Sequence, residues 1–166
     1  LTWIMNNICT NKCSYCPSVL HNGTNHNYDW NDARKFIDIV ISKYPKIHLA
    51  ISGGEPTLSP WFKDLVQIFS DAGHSVGVTS NGARTVSYYE EVSPLLSYIV
   101  LSHHPSFADN KLLDKALACA KNIPTVITVM FDSRYFDECL DYYNYIVRNH
   151  PNIGVQPVRV RDWNVG

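Results

Sequence analysis

The chain has 166 residues, enough to bury one substantial core and too few for two domains of ordinary size. Its 14 Lys and Arg nearly cancel 15 Asp and Glu, so no long-range field draws it to phosphate backbones or anionic lipid; nucleic acid and membrane are not implied as partners. No apolar run reaches the roughly 20 residues of a membrane helix and no signal peptide opens the chain, so a cytoplasmic location is expected.

Short apolar runs alternate with amphipathic stretches throughout, the pattern of parallel βαβ units. The first strand is read over Thr2 to Asn7 and enters a loop holding Cys9, Cys13 and Cys16. Ala33, Phe36, Ile37, Val40, Ile41 and Tyr44 then recur on one helical face. A second strand, Ile47 to Ser52, precedes a helix that Ser59 is expected to cap and Pro60 to open, with Gly73 as its left-handed stop. Ser75 to Ser80 is the third strand, followed by a helix from about Thr85 to Leu96 that Pro94 interrupts near its end. Tyr98 to Ser102 leads to a helix with Leu112, Leu113, Ala116, Leu117 and Ala120 on one face. Thr125 to Phe131 leads to another, carrying Phe136, Cys139, Leu140, Tyr143, Ile146 and Val147, and Ile153 to Val158 is the last strand. These elements fill residues 1–166 as one domain, and because the chain opens on Leu1, flanking sequence is expected beyond it. An open doubly wound sheet and an incomplete parallel barrel both meet the pattern, and both place a site at the carboxyl ends of the strands.

Five cysteines, three of them packed as Cys9-x-x-x-Cys13-x-x-Cys16, argue against a disulfide framework and for a reduced compartment. Three thiolates in one short loop admit two readings. They can hold an iron–sulfur cubane with one iron left open for a reacting molecule. Alternatively, with His21 or His26, they complete a structural zinc site in a non-catalytic module. Ser52-Gly53-Gly54-Glu55-Pro56 ends the second strand; its glycines let backbone approach a ligand, and Glu55 can accept from an ammonium. Its plainer reading is a strand-to-helix turn with Glu55 solvated. The third strand ends in Thr79-Ser80-Asn81-Gly82 and the fourth in Ser102-His103-His104-Pro105, where alternation puts Ser102 and His104 on one face and His103 on the other. Cys119 and Cys139 fall on helices and read as core.

The C-x3-C-x2-C loop directly after the first strand, with Tyr15 before its last cysteine and Gly53-Gly54-Glu55-Pro56 one βα unit later, resembles the radical S-adenosylmethionine (SAM) superfamily. The resemblance implies an α/β fold, a partial (β/α)6 TIM-like barrel of parallel strands, and so favours the barrel over the doubly wound sheet. It implies that Cys9, Cys13 and Cys16 hold a 4Fe-4S cluster whose fourth iron SAM chelates. Tyr15 would lie near the adenine, and Gly53, Gly54 and Glu55 would meet the amino group of the methionine moiety. Ser80, in place of a usual Thr, and Asn81 would bond the SAM carboxylate or ribose, as would Ser102 and His104. Gln156 would stand near the adenine, although the fifth strand, Thr125 to Met130, departs from the family's glycine-containing pattern. The implied reaction is reductive cleavage of SAM to methionine and a 5′-deoxyadenosyl radical that takes hydrogen from a substrate, fed by a donor such as flavodoxin or ferredoxin. A peptide or protein substrate is the expectation, with a deazapurine-forming enzyme of the 7-carboxy-7-deazaguanine synthase type as the alternative.

Overall fold

A computed structural model describes residues 1–23, 29–107, 109 and 111–160, so His26 lies outside the described residues. Its elements alternate in chain order: β1 (Thr2–Ile4), α1 (Trp30–Lys43), β2 (His48–Ser52), α2 (Phe62–Asp71), β3 (Ser75–Ser80), α3 (Val86–Val92), β4 (Tyr98–His103), α4 (Leu112–Ala120), β5 (Thr125–Phe131), α5 (Phe136–Asn149) and β6 (Gly154–Arg159). Every neighbouring pair of strands is parallel, and the spatial order β1-β2-β3-β4-β5-β6 is the chain order. A doubly wound sheet would instead place a later strand on the far side of the first. This is the progression of a barrel that does not close, the partial barrel expected of the chain.

Period-two alternation divides each inner strand between two faces. In β4, Ile99 and Leu101 are fully buried among the helices with Ile37, Leu65, Phe69 and Ile146, while Tyr98, Val100 and Ser102 turn to the other face. There the Tyr98 ring lies where a side chain on Gly77 would stand, and it stacks on His48 at 5.4 Å. That stack stands at the amino-terminal ends of β2 and β4, opposite the carboxyl ends that carry the site. On β6, Val160 N–H bonds to Phe131 O, which fixes the parity of the edge. Even-numbered amides face β5, and position 157, a proline, falls on the outward side.

Element ends follow local chemistry, with one correction. The helix expected to open at Ser59 and Pro60 begins at Phe62 instead. Ser59 is taken up by a preceding 3-10 turn, Pro56–Leu58, where its N–H bonds to Pro56 O at 3.0 Å. Gly73 does stop α2, at φ 77°, with Gly73 N–H on Ser70 O and His74 N–H on Phe69 O, the paired bonds of a Schellman ending. Thr85 caps α3 by accepting from Tyr88 N–H, and the α-helical turns end at Val92, before Pro94. β1 is shorter than the run Thr2 to Asn7 because Asn6 and Ile8 give their carbonyls to Gly54 and Glu55 N–H rather than to a ladder. Among the described residues, no helix is long and apolar enough to cross a membrane.

Candidate functional site

At the carboxyl end of the sheet, a cavity of about 180 Å³ is lined by the three thiols of the β1 loop, Cys9, Cys13 and Cys16. Gly53 and Gly54 after β2, Ser80 and Asn81 at the end of β3, and Ser102 and His104 from β4 complete most of its wall. Parallel strands whose carboxyl ends lie side by side bring these distant segments together. A wider hollow of about 460 Å³ between β1 and α1 is lined by Trp3 and Phe36 and by no thiol, so volume alone does not mark the site.

Neighbouring strand ends grip the cysteine loop one after another. After β2, Gly54 N–H bonds to Asn6 O at 2.8 Å and Glu55 N–H to Ile8 O at 2.6 Å. Side chains on Gly53 or Gly54 would collide with the Asn6, Ile8 and Leu20 carbonyls. The glycines thus admit the chain entering the cysteine loop, a closer approach than any other residue allows. From β3, Asn81 Nδ2 donates to Thr10 Oγ1 at 3.1 Å and lies 3.4 Å from Cys9 Sγ. From β4, His104 Nδ1 is 2.7 Å from the Tyr15 hydroxyl and 3.5 Å from Cys13 Sγ. After β5, Arg134 donates to Ser14 Oγ at 3.2 Å and is itself held by the buried Asp132 carboxylate.

Three residues singled out by sequence stand outside the cavity wall. Tyr15 is buried, its ring stacked on His104 at 6.0 Å and its hydroxyl committed there. Glu55 is buried rather than solvated, beneath the wall. Gln156 is exposed on β6, in register with Thr128, which is in register with Ser102. Sequence reasoning passed over Asn11, which lines the cavity, and the Asp132–Arg134 pair. The signal available for the pair was its place just past a strand's carboxyl end. Cys119 and Cys139 are fully buried and away from the cavity, as core residues.

Burial is the first cause pushing Cys9, Cys13 and Cys16 above the ordinary thiol value, so a metal must displace their protons on binding. Burial also raises the Tyr15 phenol and lowers His104 to about 4, with His103 adding to the latter; His104 is a neutral imidazole near pH 7. Arg134, through its hydrogen bonds, holds Asp132 below the usual carboxylate range. Among the described residues, no three His, Cys, Asp or Glu side chains gather as a single metal ion requires. His21, one of the two histidines considered for zinc, instead bonds to Cys16 O at 3.2 Å. A mononuclear zinc site draws its thiolates to about 2.3 Å from one point, whereas a cubane takes each thiolate on a separate iron. Asn81 Oδ1, on a residue of the cavity wall, is buried with no partner among the described residues. Three thiols on one cavity and an unsatisfied amide oxygen beside them suit a cluster with a polar ligand above it.

The model of the radical SAM superfamily matches residues 3–116. A 7-carboxy-7-deazaguanine synthase of Bacteroides thetaiotaomicron is 35% identical over 77 residues, which are 46% of this chain and 38% of that protein. The crystal structure of Streptococcus suis SuiB bound to S-adenosylmethionine aligns with 95% of this chain and 49% of that chain, at a TM-score of 0.52 and 13% identity. At that identity the likeness is one of fold. The chain thus spans about half or less of the length of each of these two proteins. With a family model covering more than half of its length, and with the thiol loop and strand ends assembled on one cavity, the chain belongs to the radical SAM superfamily of enzymes.

Proposed function

We propose that Cys9, Cys13 and Cys16 hold a 4Fe-4S cluster and that the surrounding wall binds SAM for reductive cleavage. The observation that carries this is the sharing of one cavity by all three thiols and by Gly53, Gly54, Ser80, Asn81, Ser102 and His104. When bound, the cluster and SAM supply a one-electron cleavage that leaves methionine and a 5′-deoxyadenosyl radical. The chain's own part is binding and orientation. The buried Asn81 amide oxygen can accept from a ribose hydroxyl, the Ser102 hydroxyl can bond carboxylate or ribose, and His104 adds an imidazole steadied by Tyr15. The electron comes from a low-potential donor such as flavodoxin or ferredoxin.

Protein reconstituted anaerobically is expected to carry about four irons and four sulfides, to bind SAM, and to release 5′-deoxyadenosine when reduced with dithionite. One equivalent of zinc without acid-labile sulfide would overturn the cluster. An intact cluster without SAM binding or cleavage would overturn the enzyme reading.

For the substrate, modification of a peptide or protein rests on the Gly-Gly-Glu-Pro and strand-end patterns. Deazapurine formation is supported by 35% identity over 77 residues to a 7-carboxy-7-deazaguanine synthase, the more specific observation. Mass spectrometry of the reaction separates them: a released 7-carboxy-7-deazaguanine favours the second, a modified peptide the first.

A further inference from the structure

Glu55 is the acid in the segment that the family resemblance assigns to the SAM amino group, yet it is 0% exposed and does not line the cavity. Its Oε1 accepts from Thr57 N–H at 3.0 Å, Thr57 Oγ1 at 2.5 Å and Ser80 Oγ at 2.8 Å, and its Oε2 accepts from Asn81 N–H at 2.6 Å. An ionised carboxylate only accepts; three of these donors fall on Oε1, and Oε2, with one, is buried off the cavity wall. The main chain of Glu55 is equally committed, its N–H to Ile8 O and its carbonyl to Asn6 Nδ2 at 3.0 Å. Ile8 directly precedes Cys9, and Asn81 reaches Cys9 Sγ. The network continues away from the cavity, since Ser80 Oγ also meets the buried Tyr89 hydroxyl at 2.8 Å.

From this geometry we infer that Glu55 is a positioning residue. It braces the start of the cysteine loop against the end of β3, and its carboxylate does not touch the SAM ammonium. The inference deepens the SAM-binding reading above and rests on it. A direct ligand would need a free acceptor on the cavity wall, and Glu55 presents none there. A brace needs donors from both segments it joins, and Glu55 has them from residues 57, 80 and 81 and through its own main chain. Glu55→Gln turns one acceptor into an NH2 group. Whichever way the amide is placed, a donor then faces a donor in a buried site, and Asn81 or Thr57 loses its acceptor.

The test uses anaerobically reconstituted wild type, Glu55→Gln and Thr57→Val, each titrated with SAM and with a SAM analogue lacking the α-amino group. The EPR spectrum of the reduced cluster is recorded before any addition. Thr57 is buried off the cavity wall, so its replacement loosens the brace without altering Glu55's charge. Glu55→Gln is expected to weaken SAM and the analogue by the same factor, about tenfold, and Thr57→Val by about threefold for both. The EPR signature should shift in Glu55→Gln because Asn81 moves relative to Cys9, a change that lost stability alone would not produce in folded protein. The inference is overturned if Glu55→Gln weakens SAM but not the analogue while its EPR spectrum matches wild type. It is equally overturned if both variants match wild type in every measurement. Wild type that binds neither compound would sink the SAM reading, and the EPR comparison would then decide the brace by itself. Should Glu55→Gln fail to fold, Thr57→Val carries the same comparison.

Discussion

Among the described residues, the first four strands end in groups that bond to one another and to the cysteine loop, while fewer such ties follow β5 and β6. Asn6, Gly54, Glu55, Asn81 and His104 interlock across strand gaps, largely with partners more than 20 residues away. Beyond β4 the ties thin out: Arg134 holds Ser14, and Gln156 stands exposed. The superfamily match, residues 3–116, also stops before β5. A cofactor shared by many enzymes demands one geometry, and the interlocked half is where the proposed cluster and SAM would lie.

The comparison breaks most severely if a thiol on the interlocked side proves dispensable. Cys13→Ala is expected to lose the cluster, with iron falling from about four to near zero per chain. Cys139→Ala, away from the site, should keep its iron and cost on the order of 1 kcal/mol of stability. Equal iron in both would remove Cys13 from the ligand set. Next in size are two glycines. Gly54→Ala drives a methyl into the Ile8 and Leu20 carbonyls and should cost about 3 kcal/mol or more, whereas Gly154→Ala on β6 comes within 3.0 Å of the Val126 side chain, with Thr125 O at an ordinary 3.5 Å, and should cost under about 1 kcal/mol. Urea unfolding midpoints of the two variants test this; similar losses would erase the contrast.

A pH effect sharpens the picture beneath β4. His103 is buried against Tyr142, with ring centroids 4.3 Å apart, and burial lowers it to about 4. Between pH 6.5 and about 4 the unfolded chain therefore binds a proton that folded His103 refuses. Its contribution is complete above that window and is lost as pH falls through it, about 2 kcal/mol between pH 7 and pH 5. His103→Phe should flatten the pH dependence of unfolding by that amount; an unchanged slope would refute the assignment. The smallest contrast is in cofactor affinity. Asn81→Ala should weaken SAM about tenfold and Gln156→Ala by less than about twofold, as calorimetry on reconstituted protein would measure. A larger effect at Gln156 would extend the interlocked half to β6.

Strand and helix placement were legible because the apolar period reports burial directly, and the thiol loop because its spacing is local; strand order was implied by the family resemblance, since the period alone also admits a doubly wound sheet. The period was less exact about which side chains would be covered. Ala33, Ile37 and Val40 of α1 are buried as expected, but Phe36 remains 46% and Tyr44 47% exposed on the same predicted stripe. The stripe is wider than the core it meets. What sequence concealed was non-local chemistry. Arg134 and Ser14 are 120 positions apart, and no periodicity links them. The sequence offered Glu55 as a contact to the SAM amino group or as solvated; its burial was not legible because its donors Ser80 and Asn81 come from the end of the next strand. The proper start of α2 was hidden because a 3-10 turn and a helix use the same capping residues.

Pro157 has a consequence outside the site. A parallel sheet that stops short of closing leaves its last strand exposed as a template on which another extended chain can polymerise. The outward amides of β6 are those of odd-numbered residues, and at 157 there is no N–H to give. A strand attempting to add there would find Val155 and Arg159 separated by a missing rung, with the pyrrolidine ring standing in the gap. Among the described residues no strand pairs with that side of β6, and Pro157 breaks any ladder that would form there.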